Sequence, residues 1–157
     1  MRTPVLFALM CVLLGAPVAM HAQREKLSLD DLDYIEKTWP HARKTNTGIR
    51  YVIERPGHGE RPVPGQFVAV LYVGHLLHEE KPFDQAQDPH RPLAFRLGRG
   101  YVIQGWDQVL QLMQVGEKRL VIIPPELGYG ARGQAPSIPP DSTLVFEVEL
   151  IAVKSDA

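Results

Sequence analysis

The chain has 157 residues, 45% apolar and 22% charged, which suits one domain of ordinary size with a short appendage. A formal net charge of −1 argues against an electrostatic nucleic-acid binder, and a single cysteine, Cys11, excludes both a disulfide framework and a cysteine-based zinc site. Glycine (13) and proline (14) are frequent, so turns are plentiful, but the composition is neither collagen-like nor disordered.

The N-terminus looks like an address. Met1-Arg2-Thr3-Pro4 carries one positive side chain, Val5 to Ala16 is almost wholly apolar, and Pro17 to Ala22 ends in a small residue before Gln23. This three-part layout predicts a secretory signal peptide over residues 1–22, cut after Ala22, with Ala19 as the alternative. The apolar run is short for a bilayer span, so cleavage is preferred over an uncleaved anchor. Leu9-Met10 before Cys11 disfavours a lipoprotein. No later stretch is long and apolar enough to span, so no stable membrane insertion is expected after cleavage. Cleavage also removes Cys11, which suits an oxidising compartment.

Residues 23–47 form a short prelude. Ser28-Leu29-Asp30-Asp31 has the form of a helix start, with a serine cap and acids in the first turn. Leu32, Ile35 and Trp39 repeat on one helical face, and Pro40 ends the pattern. Arg43 to Gly48 is polar and is expected to be a linker or turn.

The main body spans residues 48–154. Ile49–Glu54 has strand composition. Phe67–Val73 is a second strand, apolar on both faces and so expected to be covered on both, with the prelude helix as the nearest cover. Leu93–Leu97 is a short strand. Gln104–Leu112 is the one clear helix, with Trp106, Val109, Leu110 and Met113 on one side and Gly116 as its stop. Lys118–Ile123 is a strand, a long loop runs from Glu126 to Asp141, and Thr143–Val153 alternates cleanly as the last strand. One helix among about five strands joined by short turns predicts an α+β fold with an antiparallel sheet.

The familiar catalytic patterns are missing. There is no Gly-x-Ser-x-Gly elbow, and after cleavage no thiol. His75, His78 and His90 are expected to be solvated loop side chains rather than metal ligands, and neither metal nor cofactor is expected. The unusual feature is aromatic: Tyr72, Phe83, Phe95, Trp106, Tyr129 and Phe146 fall one per element. A well-filled core would explain them, and for Phe95 it suffices. Two buried tyrosine hydroxyls need partners, however, and an aromatic basin with a few polar atoms suits an apolar ring as ligand.

Val70-Leu71-Tyr72-Val73-Gly74, Pro82-Phe83-Asp84, Val102-Ile103-Gln104-Gly105-Trp106, Gly128-Tyr129-Gly130-Ala131, Ile138-Pro139-Pro140 and Thr143 to Leu150 occur in that order. Together they resemble the FKBP family of immunosuppressant-binding peptidyl-prolyl cis-trans isomerases. The resemblance implies a twisted antiparallel sheet wrapped around one short helix, and with the predicted signal peptide it points to an exported bacterial member. It implies catalytic roles for Asp84, Tyr72 and Tyr129. Trp106 would be the pocket floor, with Tyr72, Phe83, Val102, Ile103 and Phe146 as walls and Ile138 on the rim. Asp84, Leu93 and Phe95 complete the implied substrate-binding set. The Ile103 N–H and the Tyr129 hydroxyl would bond substrate carbonyls. The implied partners are proline-containing polypeptides and macrolide immunosuppressants of the rapamycin type.

Some positions depart from the family pattern. Leu93 stands where many members carry a third aromatic wall. Pro89 stands where an arginine often pairs with the aspartate, so Arg91 or Arg96 is the candidate partner of Asp84. Gln134 replaces a frequent histidine, and the turn Leu77–Lys81 is one residue longer than in the smallest members. The short prelude favours a monomer. The chain ends Lys154-Ser155-Asp156-Ala157 without an ER-retention tail, which favours a bacterial periplasm. Two functions therefore compete: an exported isomerase that speeds protein folding, and a chaperone or peptide-binding module that uses the same pocket with little turnover.

Overall fold

The computed structural model describes residues 26–154; the expected signal peptide, residues 1–22, lies outside the described residues. The Ser28 hydroxyl accepts from the Asp31 N–H at 3.1 Å, and helix α1 runs Leu29–Thr38 as the cap predicts. The expected linker at Arg43 to Gly48 instead begins with strand β1 (Arg43–Lys44), paired with β2 (Arg50–Arg55). Both β1 side chains are exposed, so this edge strand has no apolar alternation to betray it.

Strand β3 (Phe67–Leu76) organises the sheet. One of its edges pairs along its whole length with β7 (Leu144–Lys154), with a bulge at Ala69/Val70. Its other edge is shared: β5 (Leu93–Arg96) takes Phe67 to Val70, and β4 (Asp84–Ala86) takes Tyr72 to Gly74. β4 is too short to be visible as a pattern in the sequence. With β6 (Lys118–Ile123) the sheet has seven strands, in the order β1-β2-β6-β7-β3-β4, with β5 beside β3 and every pairing antiparallel.

The concave face wraps helix α2 (Gln104–Val109). The expected helix to Leu112 is tighter than predicted: after Val109 it becomes one 3₁₀ turn, Leu110–Leu112. Three-residue periodicity lets Leu110 and Met113 both point into the core, where both are fully buried. Gly116 therefore stops no helix; at φ +88° it turns the chain toward β6. Alternation places Val68 and Val70 of β3, Val121 and Ile123 of β6, and Leu144, Phe146, Val148 and Leu150 of β7 in one core with Trp106 and Val109.

The convex face carries a second, smaller core. Ile35 of α1, 1% exposed, packs with Leu27, Leu77, Leu120, Ile122 and Val145. Asp31 ties the helix down from two sides: one carboxylate oxygen lies 2.9 Å from His78 Nε2, and the other accepts from the Thr143 hydroxyl at 2.6 Å. Helix α1 thus covers β6, β7 and the end of β3, not the Phe67–Val73 stretch it was expected to cover. Leu71 and Val73 lie instead in a groove walled by Arg55, Lys118, Glu147 and Glu149. Lys118 bridges Glu54 and Glu147, and Arg55 pairs with Glu149, so apolar stems screen this face while the charges stay wet.

Ile35→Ala should leave a cavity under α1 and lower the unfolding free energy by roughly 2–4 kcal/mol, measured by urea denaturation. An unchanged midpoint would mean that the prelude does not contribute to the core.

Candidate active site

Helix α2 delivers Trp106 to the centre of the concave face, where it is 4% exposed. The approach is close because Gly105 precedes it; a Cβ there would meet the Ile123 side chain at 2.6 Å. Tyr72 from β3 and Phe146 from β7 stand edge-on to the indole, with ring centroids 4.9 and 5.2 Å away. Gly74 lies opposite Phe146 in the register. A side chain at Gly74 would sit 2.6 Å from Phe146 and 2.9 Å from Phe83. Its absence lets those two rings meet at 5.6 Å and 87°, close to the edge-to-face geometry that aromatic quadrupoles favour.

The remaining walls come from loops at the ends of elements. Phe83 precedes β4 and Asp84 opens it, Leu93 opens β5, Val102 and Ile103 precede α2, and Tyr129 lies between the 3₁₀ turns Pro125–Leu127 and Gly130–Arg132. With Trp106, Tyr72 and Phe146 they enclose a cavity of about 130 Å³. Two expected members are not in its lining. Phe95 is buried behind the Trp106 ring, 6.1 Å between centroids, because strand alternation in β5 turns it into the core. Ile138, 3% exposed, lines an adjoining depression of about 240 Å³ with Phe83, Asp84 and Tyr129. One lining residue was not anticipated: Tyr101, 72% exposed. It follows Gly98-Arg99-Gly100 and fits no apolar period, so its place next to Val102 was the only signal.

The polar atoms are few and mostly committed. The Tyr72 hydroxyl donates to Asp84 Oδ2 at 2.6 Å, and the Gln85 N–H donates to Oδ1 at 2.8 Å. These are the partners of Asp84, in place of the expected Arg91 or Arg96. Arg91 pairs with Asp88, and Arg96 donates to the Gly65 carbonyl with its guanidinium over Phe67. Burial raises the pKa of Tyr72 well above the usual tyrosine value near 10, and its hydrogen bond to Asp84 and that carboxylate's charge raise it further. Tyr129 is raised by burial and then by the Asp84 charge. Both phenols therefore stay neutral donors at ordinary pH.

The Ile103 carbonyl accepts from the Trp106 and Asp107 N–H groups, while the Ile103 N–H has no acceptor among the described residues. The Trp106 Nε1–H is buried and has no partner among the described residues. Such a donor costs about 1–3 kcal/mol, and functional sites are where folds carry such costs. The histidines play no part in the cavity. His75 is a half-buried β3 residue and not the expected loop side chain, His78 binds Asp31, and His90 is exposed.

The folded chain holds two phenolic protons that the unfolded chain releases near pH 10. Their stabilisation is complete below that pH and is lost as pH rises above it. Lys118 acts in the same direction, because its hydrogen bonds to Glu147 and Glu54 raise its pKa. Unfolding free energy should fall above about pH 10, and less steeply in a Tyr72→Phe, Tyr129→Phe double variant. Urea unfolding across pH 8–12 (about the alkaline limit for such work) checks this; equal slopes would refute it.

A family model described as FKBP-type peptidyl-prolyl cis-trans isomerase matches residues 58–151. The chain is 42% identical over 109 residues to FK506-binding protein 1A of Aspergillus fumigatus, covering 69% of this chain and 96% of that protein. It is 46% identical over 111 residues to the 39 kDa FK506-binding nuclear protein of Drosophila melanogaster, covering 71% of this chain but only 31% of that longer relative. Among solved structures, a peptidyl-prolyl cis-trans isomerase from Pseudomonas syringae superposes with a TM-score of 0.70 at 38% identity, covering 80% of this chain and 92% of that one. On this family match and these identities, the chain belongs to the FKBP-type peptidyl-prolyl cis-trans isomerase family.

Proposed function

We propose that this protein is an exported bacterial isomerase that accelerates cis–trans interconversion of X–Pro bonds during the folding of periplasmic or secreted proteins. The observation that carries this reading is the aromatic cavity floored by Trp106, with the uncommitted Ile103 N–H among its lining residues. Rotation about an X–Pro amide faces a barrier of about 20 kcal/mol, set by the partial double-bond character of the planar bond. A catalyst has nothing to deprotonate or attack; it needs only to bind the twisted amide more tightly than the planar one. Twisting breaks resonance and lowers charge separation, so an apolar, water-poor cavity favours the twisted state. A ten-thousandfold acceleration needs about 5–6 kcal/mol of that preference.

Each residue has a place in such a step. The proline ring lies on Trp106 between Tyr72, Phe83 and Phe146. The Ile103 N–H and the neutral Tyr129 hydroxyl hold carbonyls of the peptide, so the chain is gripped while one bond turns. Asp84 lies beside the twisting amide, its carboxylate oriented by Tyr72 and Gln85. Leu93 adds aliphatic contact where many relatives have a ring, and Val102 completes the wall. The same apolar cavity suits macrolides of the rapamycin type, in keeping with the FK506-binding names of the relatives. Export is supported by the composition of residues 1–22.

Exchange NMR on a Leu-Pro peptide tests the activity. The protein should accelerate interconversion strongly, and Trp106→Ala or Asp84→Val should reduce that effect by roughly tenfold or more. A folded protein without acceleration would overturn the isomerase reading and put a peptide-binding module in its place. Export has its own check: mass spectrometry of protein recovered from a bacterial periplasm should find a chain beginning at Gln23, and an intact Met1 would contradict it.

A further inference from the structure

Tyr101 is 72% exposed, yet it lines the same cavity as Trp106, Val102 and Leu93. Its backbone is tied to the helix that carries the cavity floor. Asp107, the residue after Trp106, accepts from the Gly98 N–H at 2.8 Å with one carboxylate oxygen and from the Gly100 N–H at 3.2 Å with the other. Both glycines have φ +71°, a conformation that side-chain-bearing residues avoid, so the turn before Tyr101 is specified by both its backbone and its clamp. The result is a placed aromatic ring with most of its surface still in water. A tyrosine ring gives large contact area for the loss of only two side-chain torsions. Leu93, half-buried, supplies an aliphatic partner in the same lining.

Tyr101 also stands two residues before Ile103, whose N–H we assign to a substrate carbonyl. The peptide residue that passes Tyr101 is then the one adjoining the proline on that side. We propose that Tyr101 is a specificity-determining residue, selecting an apolar or aromatic side chain next to the substrate proline, and that Asp107 is its positioning residue. The inference rests on the isomerase reading and deepens it. A large flanking side chain would remove the exposed ring from water and lie between it and Leu93. Alanine or glycine at that place would leave the ring wet.

The test is a set of peptides carrying alanine or phenylalanine either before or after the proline. Catalytic efficiency is measured for the wild-type protein, Tyr101→Ala, Tyr101→Phe and Asp107→Ala. The wild type should prefer phenylalanine at one of the two flanking positions. In Tyr101→Ala the phenylalanine-to-alanine ratio of kcat/KM at that position should fall about five- to tenfold, mainly through KM, the size expected for one apolar contact in a pocket. Tyr101→Phe should keep the ratio, and Asp107→Ala should lower it although the ring is retained. An active wild type whose ratios at both positions are unchanged in Tyr101→Ala would overturn the proposal. A wild type that accelerates none of the peptides would instead overturn the isomerase reading, and this inference with it.

Discussion

The antiparallel pairing of β3 with β7 is the constraint on which the site depends. It runs from Phe67 to Leu76 and places Tyr72 opposite Val148 and Gly74 opposite Phe146. Because side chains alternate, a slip of one residue in this pairing would put Tyr72 and the core valines of β3 on the opposite face from Phe146. Correct register brings Tyr72 and Phe146 to the same side, where α2 lays Trp106 against both. Gly74 makes the arrangement tight, since the rings of Phe83 and Phe146 occupy the volume a side chain would need. The bulge at Ala69/Val70 and the shared outer edge of β3 then let β4 and β5 bring Asp84 and Leu93 to two different sides of the cavity.

The two faces of this sheet are stabilised differently. On the concave side, continuous apolar burial surrounds α2, and the aromatic cavity is the unfilled end of that core. On the convex side, apolar burial is local to α1, and the rest of the face is closed by the ion pairs of Arg55 and Lys118 over Leu71 and Val73. Exposed pairs of this kind contribute little energy each, so their chief effect is to cover apolar surface with charged stems. The helix that closes one face and the cavity that opens the other are thus on opposite sides of one layer.

The chemistry of the cavity follows from how little charge it holds. Asp84 is the one ionisable carboxylate in the lining, and its two oxygens are occupied by Tyr72 and its own neighbour's N–H. Burial and that carboxylate keep both phenols protonated, so Tyr129 can only donate or accept neutral hydrogen bonds at ordinary pH. On the proposed reading, a rotation that reduces amide polarity suits such surroundings, whereas a reaction that develops charge would be penalised.

Much of this was written in local patterns. The Ser28 cap, the alternation of Leu144, Phe146, Val148 and Leu150, the helical spacing around Trp106 and the ordered family motifs are each set by neighbours in the chain, and they determined the fold class, the family and most of the cavity residues. Most of the differences are nonlocal, the tightening of α2 after Val109 being the local exception. Strand β1 is polar because it lies at an edge, and β4 is three residues long, so neither leaves a periodic trace. The amphipathic pattern of α1 shows which of its faces is buried but not what buries it, and its partners prove to lie on β6, β7 and the end of β3. Phe95 and Ile138 share the composition of their lining neighbours and differ only in direction. Tyr101 and the Asp84–Tyr72 bond depend on which loop ends meet. Local order along the chain sets the elements and the chemical character of the pocket. Which side chains face it depends on register, alternation and contacts between residues distant in the chain, and so emerges only on folding.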